Sequence, residues 1–327
     1  MSEPILTIAI PTYNRAEKLA IQLGCLVPQL TPQVRCLVYD NASTDHTRAI
    51  AEKYSSAGVA YSCAPYNGGG ERNFLRCFEE CQTDWLWILS DDDPVLPDAA
   101  AKILALVASS SCDFIHTSSP LRRYATDETV SDIPQLLKKS DLSALLFIST
   151  GIYRMSAFRP LMRVFVSAIS TWVPHLVTVL ALMEGSAGKL LLSTASLTSS
   201  HPGAPRWSTL GFILRFSHLP EYVKQEDHRK IIAQGVIGYI YWAMMTGLRE
   251  IKDQESVFQW KRTAKMALHN LACYGSPSPA RLLFDYCLNS RNPVKWYFAI
   301  REPAQFFILM QSPGCMFIRM AKRWIRK

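Results

Sequence analysis

The sequence predicts an α/β fold in which a mostly parallel central sheet carries helices on both faces. Three observations predict it. Short apolar runs alternate with amphipathic stretches over residues 1–117, with brief connections between them, the pattern of strand–helix–strand units with right-handed crossovers. Each apolar run is followed by a polar loop, so these loops gather at the carboxyl edge of the strands, where open α/β sheets bind ligands. Finally, Trp85-Leu86-Trp87-Ile88-Leu89 runs into Ser90-Asp91-Asp92-Asp93-Pro94. That run is too short for an ordinary helix and is stopped by proline, so it reads as a core strand that delivers three carboxylates to the same edge.

The elements follow in order. Residues 5–10 read as a first strand, and 16–26 as a helix that buries Leu19, Leu23 and Leu26. Residues 34–39 form a second strand, after which Ser43 or Thr44 is expected to cap a helix reaching about residue 54. A third strand spans 59–63, and the next helix, 71–81, buries Phe74, Leu75, Phe78 and Cys81. Beyond the aspartates, 97–107 reads as a helix and 113–117 as a strand, while 121–140 is polar and irregular. Residues 170–183 open with Pro174 in the first turn of a helix, and 189–197 read as a strand.

Two carboxylates about 4 Å apart repel by roughly 4 kcal/mol at an effective dielectric of 20, so the Asp91–Asp93 cluster calls for a cation. Oxygen ligands alone suit Mg²⁺ or Mn²⁺, which in turn hold substrate phosphates. The other reading is a solvated turn whose aspartates cap the following helix. The remaining loops suit a nucleotide. Tyr13 can stack on a base, and Asp40 can accept from a base or ribose. Asn67, Gly68 and the two glycines after it let backbone amides approach a ligand, and Arg72 sits at a helix start suited to phosphate. Each has a structural alternative: a strand-end plug, a turn former, a plain loop.

Ile8-Ala9-Ile10-Pro11-Thr12-Tyr13-Asn14-Arg15, Val38-Tyr39-Asp40-Asn41-Ala42-Ser43-Thr44-Asp45 and Ser90-Asp91-Asp92-Asp93 together resemble glycosyltransferase family 2 over about residues 4–115. The resemblance implies the GT-A fold and a nucleoside diphosphate sugar donor. It places Pro11, Tyr13, Asn14, Arg15 and Asp40 at the nucleotide site and makes Asp91–Asp93 the Asp-x-Asp motif. Asp93 then coordinates the metal, and Asp91 or Asp92 reaches the sugar or ribose. It also allows residues 147–154 to be a strand ahead of the acceptor side.

An inverting transferase needs a base on the acceptor hydroxyl, and the family usually supplies an acid there. This chain has no acid between Asp141 and Glu184. His175 is the candidate base, with capping or packing as its alternative role, and Glu184 stands at the far end of the helix. His201-Pro202-Gly203-Ala204-Pro205-Arg206-Trp207-Ser208 reads either as an ordinary loop or as a lid. In the lid reading, His201 is a further metal ligand and Arg206 contacts the diphosphate.

Residues 1–209 are thus expected to form the transferase domain, with 1–117 as its nucleotide half and 118–209 as its acceptor half; 210–327 are expected to be a helical C-terminal region. With 327 residues, 49% of them hydrophobic and 19% charged, the chain is globular. No apolar run reaches the 18 or so residues that span a bilayer, and Met1-Ser2-Glu3-Pro4 leads straight into a strand, so no signal peptide is expected. Nine scattered cysteines with no Cys-x-x-Cys pair suggest reduced thiols and a cytoplasmic setting. The net charge of +8 sits largely in Arg319, Lys322, Arg323, Arg326 and Lys327. It forms a tail rather than a stripe able to track nucleic acid. On a helix, these residues would oppose Phe317, Met320, Ala321 and Trp324, which is either an interfacial helix on anionic lipid or a terminal helix packed on the body.

What the family resemblance implies is transfer of a sugar to a glycan by metal-assisted inverting displacement, in O-antigen or capsule synthesis. The acceptor is expected on a polyprenyl carrier, with the protein peripheral at the inner face of the cytoplasmic membrane. A nucleotidyltransferase is disfavoured, since Pro11-Thr12-Tyr13-Asn14 stands where a Gly-rich loop with Arg and Lys would be. A non-catalytic nucleotide-sugar-binding partner of a synthase complex is the other rival.

Overall fold

The computed structural model describes residues 3–119, 122–185, 188–199 and 209–247, with scattered positions between 259 and 274. Eight strands form one sheet: β1 (Leu6–Thr12), β2 (Val34–Asp40), β3 (Val59–Cys63), β4 (Trp85–Ile88), β5 (Phe114–Ser118), β6 (Glu128–Val130), β7 (Gly151–Arg154) and β8 (Leu190–Ser196). Their order is β3-β2-β1-β4-β7-β5-β8-β6. The helices are α1 (Ala16–Leu26), α2 (Thr47–Lys53), α3 (Gly70–Glu79), α4 (Ala99–Ser109), α5 (Ile133–Lys139), α6 (Met155–Phe158), α7 (Met162–Ser167), α8 (Pro174–Glu184), α9 (Thr209–Phe216) and α10 (Glu226–Gly247).

Strands β3, β2, β1 and β4 run parallel, as the alternation predicts. β7 then enters antiparallel between β4 and β5, which brings a late segment against the end of β4. Such close pairing requires Gly151, because a Cβ there would meet Tyr153 Oη at 2.7 Å and Phe114 Cε2 at 2.9 Å. Alternate residues of each central strand feed opposite cores, as the period-2 pleat requires. Ile8, Ile10, Trp85 and Trp87 pack with Leu19 and Leu23 of α1 and Ile103 of α4. Ala9, Leu86 and Ile88 pack with Phe78 of α3, Phe158 of α6 and Leu176 of α8. With both faces covered, the strands carry near-continuous apolar sequence.

Helix α1 and strand β3 match their predicted bounds. Three expectations are corrected. Helix α2 starts at Thr47 with His46 at its N-cap, not at Ser43 or Thr44, because those two residues bond Asp40 and Asn14 instead. Of the residues expected to be buried by the third helix, Phe74 and Leu75 are only half-buried, while Asn73 and Cys77 are buried. The stretch 121–140 contains β6 and α5, the latter capped by the Asp132 side chain accepting from Gln135 N–H.

The apolar stretch after residue 230 lies in α10, where Ile232, Ala233 and Val236 join the core beside Phe212 and Phe216 of α9. Among the described residues no helix is long and apolar enough to cross a membrane. The basic segment 315–327 lies outside the described residues.

Candidate active site

The loops 66–70, 40–45, 12–15, 90–93 and 147–150 meet at one sheet edge, and side chains lace each to the next. Asn41 Nδ2 donates to Asn67 Oδ1 at 2.8 Å and to Gly69 O at 3.1 Å, while Gly68 N–H donates to Asn41 Oδ1 at 3.0 Å. Asn41 N–H donates to Thr12 O, Asn14 N–H to Ser43 Oγ, and Thr44 N–H to Asn14 Oδ1. Asn14 and Ala42 lie at φ of 50° and 63°, a left-handed conformation that Asn tolerates and Ala rarely adopts. Asp45 accepts from Ala16 N–H and Thr47 N–H, satisfying the heads of α1 and α2 together.

Pro11 lies buried within β1 although β1 is a central strand. Ala9 O accepts from Leu89 N–H on the β4 side, so Pro11, two residues on, turns its missing donor to that same side. The β1–β4 ladder has already ended there at Ile88, and proline costs no sheet hydrogen bond.

Asp40 is 1% exposed and accepts from Ser43 N–H and Oγ–H at one oxygen and from Tyr61 Oη–H, at 2.6 Å, at the other. Cys63 Sγ lies 3.9 Å from that second oxygen as well, so the roughly four lone-pair positions of the carboxylate serve the loop. The Gly68 amide, expected to meet a ligand, is instead committed to Asn41. Tyr13 is exposed, and the Arg72 guanidinium lies 5.1 Å from the Tyr66 ring centroid. A Cβ on Gly68 would come within 2.3 Å of Arg72 Cδ, so the glycine makes room for that arginine.

The carboxylates at the end of β4 differ sharply in environment. Asp91 is 4% exposed and accepts from Thr12 Oγ1 at 2.7 Å and from Arg15 Nη1 at 2.6 Å. Burial pushes its carboxyl above the usual range in spite of Arg15. Asp92 is half-buried, and burial opposes its ionisation too. Hydrogen bonds from Ser90 and Lys18, with the charges of Arg15 and Lys18, outweigh that and hold it below the usual range. Arg15, the N-cap residue of α1, and Lys18 in its first turn each reach Asp92 at 3.0 Å. Asp93 Oδ2 accepts from Ser149 Oγ at 2.6 Å. The cluster's repulsion is thus offset in part by the cations of Arg15 and Lys18.

Lys18, Ser149, Gln22 and Arg76 are site residues that the sequence reading missed. Gln22, 2% exposed, donates to Ser90 O and Asp93 O and accepts from Val95 N–H, clamping the aspartate turn. Its signal was visible: Gln22 is a polar residue inside the Leu19–Leu23–Leu26 stripe of α1. Arg76 donates to Asp40 O and Ser62 Oγ, joining the ends of β2 and β3.

His175 does not face an open cleft. It is 4% exposed, its Nε2 lies 3.2 Å from Leu146 O, and its ring meets Phe74 edge-on. Burial pushes its imidazole down to about 4, a weak base. These are the features of the packing alternative. Glu184 accepts from Lys224 N–H and Gln225 N–H just ahead of α10, so its carboxylate caps that helix. His201 and Arg206 lie outside the described residues. The chain leading to them does reach the cluster: Ser199 N–H donates to Pro94 O at 2.9 Å, next to Asp93.

Among the described residues no three His, Cys, Asp or Glu side chains converge as an all-protein metal cage. An oxygen-only set shared with phosphate and water is the donor chemistry of Mg²⁺ or Mn²⁺, and Asp93 fits it.

Residues 7–165 match the family model described as glycosyl transferase family 2. Abequosyltransferase RfbV of Salmonella typhimurium is 26% identical over 136 residues, covering 37% of this chain and 41% of that protein. O-antigen chain rhamnosyltransferase WbaN of Salmonella anatum is 25% identical over 173 residues, covering 48% of this chain and 55% of that protein. The chain thus spans about half the length of these curated relatives. Among solved structures, residues 1–349 of TarS from S. aureus superpose with a TM-score of 0.63 at 17% identity, covering 92% of this chain and 88% of that one. The same TarS fragment in complex with UDP-GlcNAc gives a TM-score of 0.63 at 16% identity, with 92% and 89% covered.

Proposed function

The first half of this chain is a glycosyltransferase family 2 domain on the GT-A fold, and from that premise we propose that the protein transfers a sugar from a nucleoside diphosphate donor to a glycan in bacterial surface-polysaccharide synthesis. The observation that carries the reading is the bonding of Asp91 and Asp92 to Thr12, Arg15 and Lys18 at the edge where the nucleotide loops meet. Half-exposed Arg15 and Lys18 can meet a diphosphate, while exposed Tyr13 and Arg72 suit the base and a phosphate. The name of WbaN, an O-antigen chain rhamnosyltransferase, supports the polysaccharide setting.

A bound Mg²⁺ or Mn²⁺ would neutralise charge on the departing diphosphate, with Asp93 and His201 as its protein ligands. The reading includes inverting displacement, a polyprenyl-linked acceptor, and attachment to anionic lipid through 315–327. It takes 1–209 as the transferase domain and 210–327 as a helical appendage.

The test is calorimetric titration of UDP-, GDP-, CDP- and dTDP-sugars with Mn²⁺ and then with chelator. One donor should bind, and its affinity should fall steeply in chelator and in Asp93→Ala. Failure of every donor to bind would overturn the proposal. Burial of His175 and the capping role of Glu184 favour a second reading, a nucleotide-sugar-binding partner without turnover. Metal-dependent donor binding with no sugar released or transferred in the presence of membrane extract would select it.

A further inference from the structure

Ser149 is 1% exposed, yet it lies at the meeting point of three parts of the site. Its Oγ is 2.9 Å from Ser90 N and 2.6 Å from Asp93 Oδ2, and its carbonyl accepts from Trp87 Nε1 at 2.8 Å. The direction of the hydroxyl proton follows from chemistry. Ser90 N–H can only donate, so Oγ accepts from it and its own proton goes to the Asp93 carboxylate. A hydroxyl held at one end by a backbone amide and at the other by a charged acceptor has a single orientation, and it fixes one carboxylate oxygen in turn.

The segment carrying Ser149 is itself held firmly. Next to it, Thr150 Oγ1 lies 2.9 Å from His116 Nε2 and donates to Phe147 O, while Thr117 Oγ1 donates to Thr150 O. His116 Nε2 also lies 3.2 Å from Ala144 O, an acceptor only, so Nε2 carries the proton and Nδ1 accepts from Tyr124 Oη–H. Three residues before Ser149, Leu146 O bonds His175 of α8. Buried groups of β5 and α8 therefore set where Ser149 stands.

We infer that Ser149 is the positioning residue of the acid cluster: its hydroxyl aims Asp93 at the metal-bound diphosphate of the donor and ties that aim to the segment entering β7. The inference rests on the donor-site reading above and assigns Ser149 no contact with substrate. Partners in the outer shell of a metal-ligating carboxylate change metal affinity by on the order of 10- to 100-fold when removed, and that is the effect expected of Ser149→Ala.

The experiment compares wild type, Ser149→Ala and Ser149→Thr. Each is titrated with UDP, GDP, CDP and dTDP in the presence of Mn²⁺ and again in chelator, and each is also melted. In Ser149→Ala, the affinity gained from Mn²⁺ should shrink by on the order of 10- to 100-fold, while affinity in chelator stays at the wild-type value. Ser149→Thr, which keeps the hydroxyl, should recover most of the Mn²⁺ gain. A residue that merely fills space would lower both affinities alike or leave both unchanged, and either result overturns the inference while wild-type binding upholds the donor site. If wild type binds none of the four diphosphates, the donor-site reading falls and takes this inference with it.

Discussion

Arg15 at the N-cap of α1 and Lys18 in its first turn both reach the aspartate cluster, but their weights differ. Arg15 meets Asp91, whose side chain is 3% exposed, whereas Lys18 meets Asp92 at 31% exposure. Removing the cation from a nearly buried carboxylate strands a charge, which costs several kcal/mol when complete; Arg15 itself is 27% exposed, so solvent reduces this. Arg15→Ala should lose about 2 kcal/mol of folding stability, and Lys18→Ala less than about 1 kcal/mol. Urea unfolding of the two variants checks this, and equal losses would contradict it. Asp91, Asp92 and Arg15 were legible in the sequence because they sit in contiguous motifs. Ser149 was not, since its partner Asp93 lies 56 residues away and nothing local marks a serine that will be buried.

Helix α1 does more than cover the sheet. Its apolar stripe docks it, and Gln22 within that stripe then grips the turn after β4. Gln22→Leu keeps volume but leaves Ser90 O, Asp93 O and Val95 N–H without that partner, at about 1–3 kcal/mol for each group that water cannot reach. The expected result is a destabilised protein with weakened donor binding, read by urea unfolding and calorimetry. Unchanged donor affinity would show that the turn holds itself. At this level the sequence was most informative where periodicity was strong, as in α1 and β3. It failed in 121–140, where β6 has only three residues. Even so, the signals for α5 were present: Asp132 three residues before Gln135, with Pro134 in the first turn, is a helix start. The antiparallel entry of β7 left no trace in local pattern, because it depends on a glycine that lets Phe114 and Tyr153 close over the backbone.

Two buried imidazoles give the chain an acid limit. His116 and His175 are each pushed down to about 4 by burial. An unfolded histidine titrates near 6.5. Above that pH neither state is protonated, and the groups contribute nothing to its variation. Between 6.5 and 4 the unfolded chain takes up protons that the folded chain does not, so stability falls as pH falls, by up to about 3 kcal/mol per histidine. Asp92 and Asp45, held low, lose stability in the same direction only below the ordinary carboxylate range, while the raised carboxyl of Asp91 works oppositely. Unfolding free energies should hold level from pH 7.5 to about 6.5 and decline from there to 4.5, and a flat profile throughout would contradict two neutral buried histidines.

The insertion of β7 between β4 and β5 also governs how the chain can be made. As the polypeptide emerges during synthesis, β1 to β4 can pair in turn, but the second edge of Trp85-Leu86-Trp87 waits for Gly151–Arg154. For more than 60 residues of elongation, the strand that leads into the aspartates presents an open backbone edge to its surroundings. A fragment ending at residue 118 would keep the loop after each of these strands and still have that seam unsealed. It should aggregate on expression, whereas a fragment ending after α10, which also keeps β8 on the far edge of β5, should stay dispersed, as sedimentation of the two would show. The polar loops after β1 to β4 come early in the chain, but their platform closes only when β7 arrives.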